Sequence, residues 1–561
     1  MKRTLSFFLC ILLVFSLLTT PLAHAADYVN IDSRRSPMPI VLITGDAAAI
    51  YDADGNKIFK ISEIGDTLKS AGDGDNDLKE SVKNVLLPFL TKGLLGGNYD
   101  EYYAQLEKEI GELFEQVRLD NNGDPQYGTG ILPEDVDARR IENMRDQKSA
   151  DGTYGCYDYH FWYDWRLDPM QIADDLHEYI LNVRKVTGAE KVGLISSCLG
   201  TNVCMAYIAK YNDAFPLEIN GFGVNAALIN GSEFIGEAIS GKFHLDANGL
   251  NRLFIDTGEW GWLNVPEIVT ATLDLAQKSG LLDGMSALLH KTLYDKLVEG
   301  VTSALALATF FTMPGYWACV SNEEYDEAIR YVFGPEGSEK RTQYAGLIAK
   351  LDNYHNTVSR HVPELMQSIH DNNVKLCIES KYGFQMVAVC ESSEVIGDQF
   401  SSVTSSSFGA TTAPSIYETL SDDYIAQRVA EGKGKYISPD KQIDASTCQF
   451  PDYTWFVKGA THSERTGFED DILTAVVSAD RQLTVDDIKY TQFMVYDKHA
   501  NTMEPMTEEN CHTELWTADY ETDHPSNIIQ RLRAFFASLK NWLKVVFEAI
   551  KVKIAEKQAE G

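Results

Sequence analysis

The chain has 561 residues, a formal net charge of −33 and 11% aromatic residues. That aromatic content excludes a disordered chain, and the length points to one large catalytic domain with insertions plus an appendage. An excess of acid this large opposes a nucleic-acid partner.

Met1-Lys2-Arg3, an apolar run from Leu5 to Leu18 and Ala23-His24-Ala25 make a secretory signal peptide with cleavage after Ala25. The expected location is therefore secreted or extracellular. Of nine cysteines, Cys10 leaves with the signal. Cys156, Cys198, Cys204, Cys319, Cys377, Cys390, Cys448 and Cys511 remain in an oxidising compartment, without metal-ligand spacing. Their pairing is not readable, and neither a metal nor an organic cofactor is expected.

Pro39 to Thr44 is a short apolar run ending at Gly45, a buried strand and a sharp turn. Ile50-Tyr51 and Lys57-Ile58-Phe59 read as a hairpin. Residues 78–119 look helical, and Tyr157–Trp162 reads as an aromatic strand. Pro169 to Val186 is an amphipathic helix with Met170, Ile172, Ala173, Leu176, Tyr179, Ile180 and Val183 on one face. Lys191–Ile195 and Glu218–Val224 are strands, separated by a helix from Thr201 to Tyr211. Strands alternating with helices predict an α/β fold, a mostly parallel central sheet flanked by helices.

The alternation stops near Asn230. Val269 to Phe311 is apolar and helical but interrupted by Gly280, Gly284 and Gly300. Strand pattern resumes at Asn372–Ile378 and Gln385–Cys390. The expected organisation is a signal peptide at 1–25, a core of 26–229 and 371–525, a helical lid insertion at 230–370, and a basic amphipathic C-terminal helix at 526–561. In that tail Ile528, Leu532, Phe535, Leu539, Trp542, Val546 and Ile550 fall at helical spacing, beside Arg531, Arg533, Lys540, Lys544, Lys551 and Lys553. The pattern fits either a peripheral membrane or cell-surface contact, or a helix packed on its own domain.

The chemistry centres on Lys191–Asn202, where a buried strand runs into a tight turn and a helix. A nucleophile elbow needs small residues two positions before and after its centre. Ser196 would be flanked by Leu194 and Cys198, and Ser197 by Ile195 and Leu199. Only Cys198 has small residues on both sides, Ser196 and Gly200. Near an imidazole, a thiol at a helix N-terminus is a competent nucleophile. The competing reading is a structural core thiol. The turn after the first strand, Thr44-Gly45-Asp46-Ala47, can supply one backbone N–H of an oxyanion hole, and Leu199 the other. For the base, His462 follows the apolar strand Trp455–Lys458 in a loop. His160, His355, His361 and His370 are less suitably placed. For the acid, Asp398 lies before His462 in the order this chemistry needs, with Glu391, Glu394, Asp422, Asp440 and Asp444 competing.

Together these segments resemble the lecithin:cholesterol acyltransferase-like lipases of the α/β-hydrolase superfamily. The resemblance rests on Pro39–Gly45, Tyr163-Asp164-Trp165-Arg166, the elbow, Met313-Pro314-Gly315-Tyr316-Trp317 and Gly397-Asp398. It spans about 38–475, with long unmatched stretches at 65–150 and 230–300. Thr44 stands where that family usually has proline, Cys198 where it has serine, and Gln399-Phe400-Ser401 where it has Gly-Thr-Val. The resemblance implies hydrolysis or transfer of an acyl ester, often of lipid. Cys198 would attack the carbonyl and form a thioester, His462 would shuttle the proton and Asp398 would orient His462. An inactive binding protein on a degenerate hydrolase fold, or a thiol amidase or peptidase, stays open as an alternative.

Overall fold

The structure, a computed structural model, describes residues 35–45, 49–52, 54–59, 98–104, 108, 115, 117–242, 267–280, 310–386, 392–462, 464, 466–498, 500–511 and 528–559. The expected signal peptide, Asp46, Glu391, Cys390 and most of the helix expected at 78–119 lie outside them.

The chain is an α/β protein built on one eight-stranded sheet. In chain order its strands are β1 (Ile40–Ile43), β2 (Tyr159–His160), β3 (Val192–Cys198), β4 (Ile219–Ala227), β5 (Lys375–Tyr382), β6 (Thr454–Lys458), β7 (Phe493–Asp497) and β8 (Thr502–Pro505). They lie side by side as β8-β7-β6-β5-β4-β3-β1-β2, all parallel except β8, which pairs antiparallel with β7. The architecture is compatible with an α/β-hydrolase-like fold. The longer helices among the described residues are α1 (Pro169–Thr187), α2 (Gly200–Lys210), α3 (Glu233–Ser240), α4 (Glu267–Lys278), α5 (Tyr325–Phe333), α6 (Ala345–Thr357), α7 (Val362–Asp371), α8 (Asp422–Ala430), α9 (Phe468–Val477) and α10 (Ile528–Ala559).

Why the strand sequences are continuous apolar runs follows from the layers. In β1, Val41 and Ile43 join the core that contains α1 and α2, while Ile40 and Leu42 join the core around α9, so both faces are buried. On the α9 side the sheet is thinned by glycine. A Cβ on Gly221 would come within 2.6 Å of the Val477 backbone, so the helix rests directly on β4. On the other side α1 starts at an Asp168 cap with Pro169 in its first turn and stops at left-handed Gly188. Its apolar stripe is the one expected from sequence.

Two expected strands are shorter than their apolar runs. Tyr157 and Asp158 form a turn in which Gly155 donates its N–H to the Asp158 carboxylate (2.6 Å), leaving only Tyr159–His160 in the sheet. Of the run expected at Gln385–Cys390, the described part does not join the large sheet, and residues 387–390 lie outside the described residues. Gly383, at φ +107°, breaks the chain after β5, and Phe384–Gln385 pairs instead with Ile396–Gly397 in a separate hairpin. The hairpin joining Ile50–Tyr51 to Lys57–Phe59 is present as expected. Helix α7 packs on α2 and β5, so residues 362–371 belong to the layer covering the sheet.

Two distant segments interlock beside α2. Trp165 packs edge-on against Tyr316 at 5.4 Å, and Gly315 donates its N–H to the Arg166 carbonyl at 3.1 Å. A Cβ at Gly315 would sit 1.9 Å from the Trp165 carbonyl oxygen. Asn202, in the first turn of α2, ties the same junction through the Ala318 carbonyl at 2.6 Å.

Candidate active site

The strand order reverses once: from β1 the chain goes outward to β2, then returns to the other side of β1 for β3. Ligands of open parallel sheets bind beyond the carboxyl ends of the strands at such a reversal. Here those ends are Gly45, after β1, and Cys198, closing β3.

Cys198 has φ +53°, a left-handed conformation rare for a side chain with a Cβ, and α2 begins two residues later. The close approaches explain the small neighbours. A Cβ on Gly200 would lie 2.6 Å from the Ile43 carbonyl oxygen. A Cβ on Gly45 would lie 2.6 Å from both the Leu199 nitrogen and the Cys198 Cβ, and 2.8 Å from the sulfur. The turn after β1 thus lies directly against the elbow, with the Leu199 N–H between them. Ser196 is fully buried and bonded to Thr201 Oγ1 (3.1 Å) and the Gly223 carbonyl (3.3 Å). Cys198 is half-buried.

Gly45→Ala tests this packing. The added methyl group has backbone on one side and the sulfur on another, so it cannot be absorbed by a rotamer change. The variant is expected to lose about 1–3 kcal/mol of stability, read from urea unfolding, and to alkylate more slowly at Cys198 with iodoacetamide. A variant that matches the native protein in both would contradict the close approach.

The structure brings the expected acid and base together. Asp398 Oδ2 is 2.8 Å from His462 Nδ1, and the His462 N–H donates to the Asp398 carbonyl at 2.9 Å. Asp398 is fully buried, and its carboxylate accepts from the N–H groups of Phe400 (3.0 Å) and Ser401 (2.8 Å) and from the Ser401 hydroxyl (3.1 Å). Burial would raise its pKa, but His462 and these donors hold it below the ordinary carboxylate range. Burial would lower the pKa of His462. The Asp398 carboxylate and then the Cys198 sulfur outweigh it and raise it to about 10. Nε2 of His462 is buried and has no hydrogen bond of regular geometry. The sulfur of Cys198 is within electrostatic range of the ring.

The competing residues are engaged elsewhere. His160 bonds Thr44 Oγ1 at 3.0 Å, His355 is buried and stacked on Tyr325, and His370 lies against Phe450 and Tyr453. His361 precedes α7. Asp440 pairs with Lys458 at 2.8 Å, Asp444 with Arg428 at 3.1 Å, and Asp422 starts α8. Glu394 accepts the Ile416 N–H through its backbone.

Supports of the acid loop were not legible in sequence. The segment after β4 stitches it down: Asn230 donates to the Ser405 carbonyl, Ser232 to the Phe400 carbonyl, and Glu233 accepts the Ser402 N–H at 2.9 Å. The one sequence signal was the polar run Asn230-Gly231-Ser232-Glu233, a turn and helix cap in which Ser232 starts α3. Lys381, buried on β5, donates to the Glu464 carbonyl at 2.5 Å and so holds the loop that carries His462. A cleft of about 620 Å³ opens beyond the acid loop, lined in part by Glu233, Ser402 and Val362, and none of Cys198, Asp398 or His462 lines it. Among the described residues, no group of three or more His, Cys, Asp or Glu side chains is arranged to hold a metal ion.

No protein-family model matches the chain, and no curated protein or solved structure matches it either. The molecule is thus an α/β protein with an imidazole and a carboxylate hydrogen-bonded to each other and a thiol in electrostatic range of the ring, beyond the carboxyl ends of a mostly parallel sheet.

Proposed function

We propose that this protein is an α/β-hydrolase-fold enzyme that hydrolyses or transfers acyl esters through a cysteine nucleophile. The observation that carries the reading is the left-handed Cys198 at the strand–helix turn, with its sulfur in electrostatic range of an imidazole buried on a carboxylate. The chain order of nucleophile, acid and base supports it, as does the packing of Tyr163–Arg166, the most specific mark of the family resemblance, against Met313–Trp317, another of its motifs.

In this reading the Cys198 sulfur attacks the ester carbonyl and forms a thioester as the C–O bond breaks. The His462 imidazolium gives its Nε2 proton to the departing alkoxide. The neutral ring then takes a proton from water or an alcohol, which attacks the thioester and releases the sulfur. The N–H of Leu199 holds the oxyanion in both steps, and the second donor expected from the family resemblance, Asp46, lies outside the described residues. Asp398 keeps the ring in place and charged. A lipid-derived acyl ester is the substrate class. The leader at Met1–Ala25 makes secretion part of the same proposal.

The protonation states give a test. A folded-state pKa of about 10 keeps His462 charged through neutral pH. The active form is present below that value and lost as pH rises through it. The alkaline limb of kcat/KM on a soluble aryl ester is therefore expected near pH 10. Asp398→Asn removes the charge that raises the imidazole, so the limb moves down, with a fall in kcat of roughly a hundredfold or more. A stable acyl adduct on Cys198, seen by mass spectrometry after brief exposure to the ester, is the second expected result. Turnover of peptide amides in preference to esters would reassign the chemistry to amide cleavage. An unmoved alkaline limb with no adduct would end the proposal.

A further inference from the structure

The C-terminal helix has two different faces. One is packed: Ala534, Ser538 and Val545 are buried, α10 lies along α4, and Trp542 Nε1 donates to Thr272 Oγ1 at 3.1 Å. The other is open: Ile528 is 69% exposed, Leu532 49%, Phe536 60% and Leu543 42%. At about 100° per residue the two sets lie about 145° apart. Of the apolar stripe expected from sequence, Ile528 and Leu532 lie on the open face, while Phe535, Leu539, Trp542 and Val546 fall between the two faces and are half-buried. Tertiary packing therefore covers only part of the helix's apolar surface and leaves a ridge of Ile528, Leu532, Phe536 and Leu543 facing solvent.

Charge decides what this ridge meets. Arg533, Lys540 and Lys544 are exposed along one side of it, and Arg531 is exposed on the other. Between Ile528 and Phe547 there is no Asp or Glu, in a protein of 82 acidic and 49 basic residues. A second copy of the helix laid on the ridge would bring these cations together without partners, so self-pairing is disfavoured. An apolar ridge bordered by exposed cations suits a surface with an apolar interior and anionic headgroups. The acidic remainder of the protein is repelled by the same surface, so contact is restricted to α10 and its orientation is set.

We propose that α10 is an interfacial docking helix that lies in the plane of an anionic lipid surface, with Ile528, Leu532, Phe536 and Leu543 inserted and the flanking Arg and Lys side chains on the headgroups. Its buried face couples that surface to α4. The inference stands apart from the chemistry at Cys198.

The test is co-sedimentation of the full chain with vesicles of phosphatidylcholine alone or mixed with phosphatidylglycerol. The full chain is expected to sediment with the mixed vesicles at low salt and to be released by high salt. Leu532→Gln with Phe536→Gln, and separately Arg533→Gln with Lys540→Gln and Lys544→Gln, are each expected to lower partitioning roughly tenfold or more. All five positions are exposed, so circular dichroism and turnover of a soluble ester should stay unchanged. No binding to mixed vesicles, equal binding by the variants, or a dimer in light scattering that Phe536→Gln dissolves would each overturn the proposal.

Discussion

Cys198→Ala is expected to abolish turnover of acyl esters, by at least roughly a thousandfold in kcat/KM, and to leave the fold intact. Alanine keeps a Cβ in the left-handed position at φ +53°, so the variant bears the same backbone strain and removes only the sulfur. Its thermal midpoint should stay within a few degrees of the parent. Alkylation supplies an independent readout. Seven cysteines lie among the described residues, six of them buried, and Cys198 is the half-buried one. Burial pushes the thiols of Cys204, Cys319 and Cys377 up and that of Cys448 up to about 12, which keeps them protonated and slow. Iodoacetamide at neutral pH should mark Cys198 first, in step with loss of turnover, and prior acylation should block it. Full activity in Cys198→Ala, or complete alkylation of Cys198 without inhibition, would remove the thiol from the mechanism.

Asp164→Ala is expected to cost about 3–5 kcal/mol of stability, the largest effect outside the site. Arg166 has no exposed surface, and its guanidinium is held in a closed set of bonds. Nε and Nη2 donate to the two oxygens of Asp164 at 3.0 and 2.7 Å, and Nη1 and Nη2 to the carbonyls of Val117 and Gly128. The same carboxylate accepts the Gly130 N–H at 2.8 Å. Removing it strands a buried cation and frees the 117–130 segment from the core. Urea unfolding of the variant should show the loss as a lower midpoint. Replacing both partners by apolar residues of similar volume should recover part of it, because no charge is then left unpaired. A loss under about 1 kcal/mol in the single variant would mean that water reaches the guanidinium.

Much of the framework was legible because it depends on short-range rules. Residues 40–45 and 191–200 announced a buried strand and a tight turn, since only small residues can flank a backbone that folds back on itself, as the close approaches at Gly45 and Gly200 bear out. Helix α1 was readable from its cap, its stripe and its closing glycine. At Phe384–Gln385 the pattern left the partner open, because apolar periodicity carries no information about which strand a segment finds, and Gly383 sends this pair to a hairpin with Ile396–Gly397.

What the amino-acid order determined alone was local: the elbow at Cys198, an α/β alternation, and a short choice of acids and bases. Tertiary structure alone chose among them, for Asp398 and His462 are 64 residues apart and meet only because β5 and β6 are neighbours in the sheet. It also decided which side of α10 is covered. Burial is a property of what packs against a face, and a single helix, read by itself, has no means of recording its neighbour.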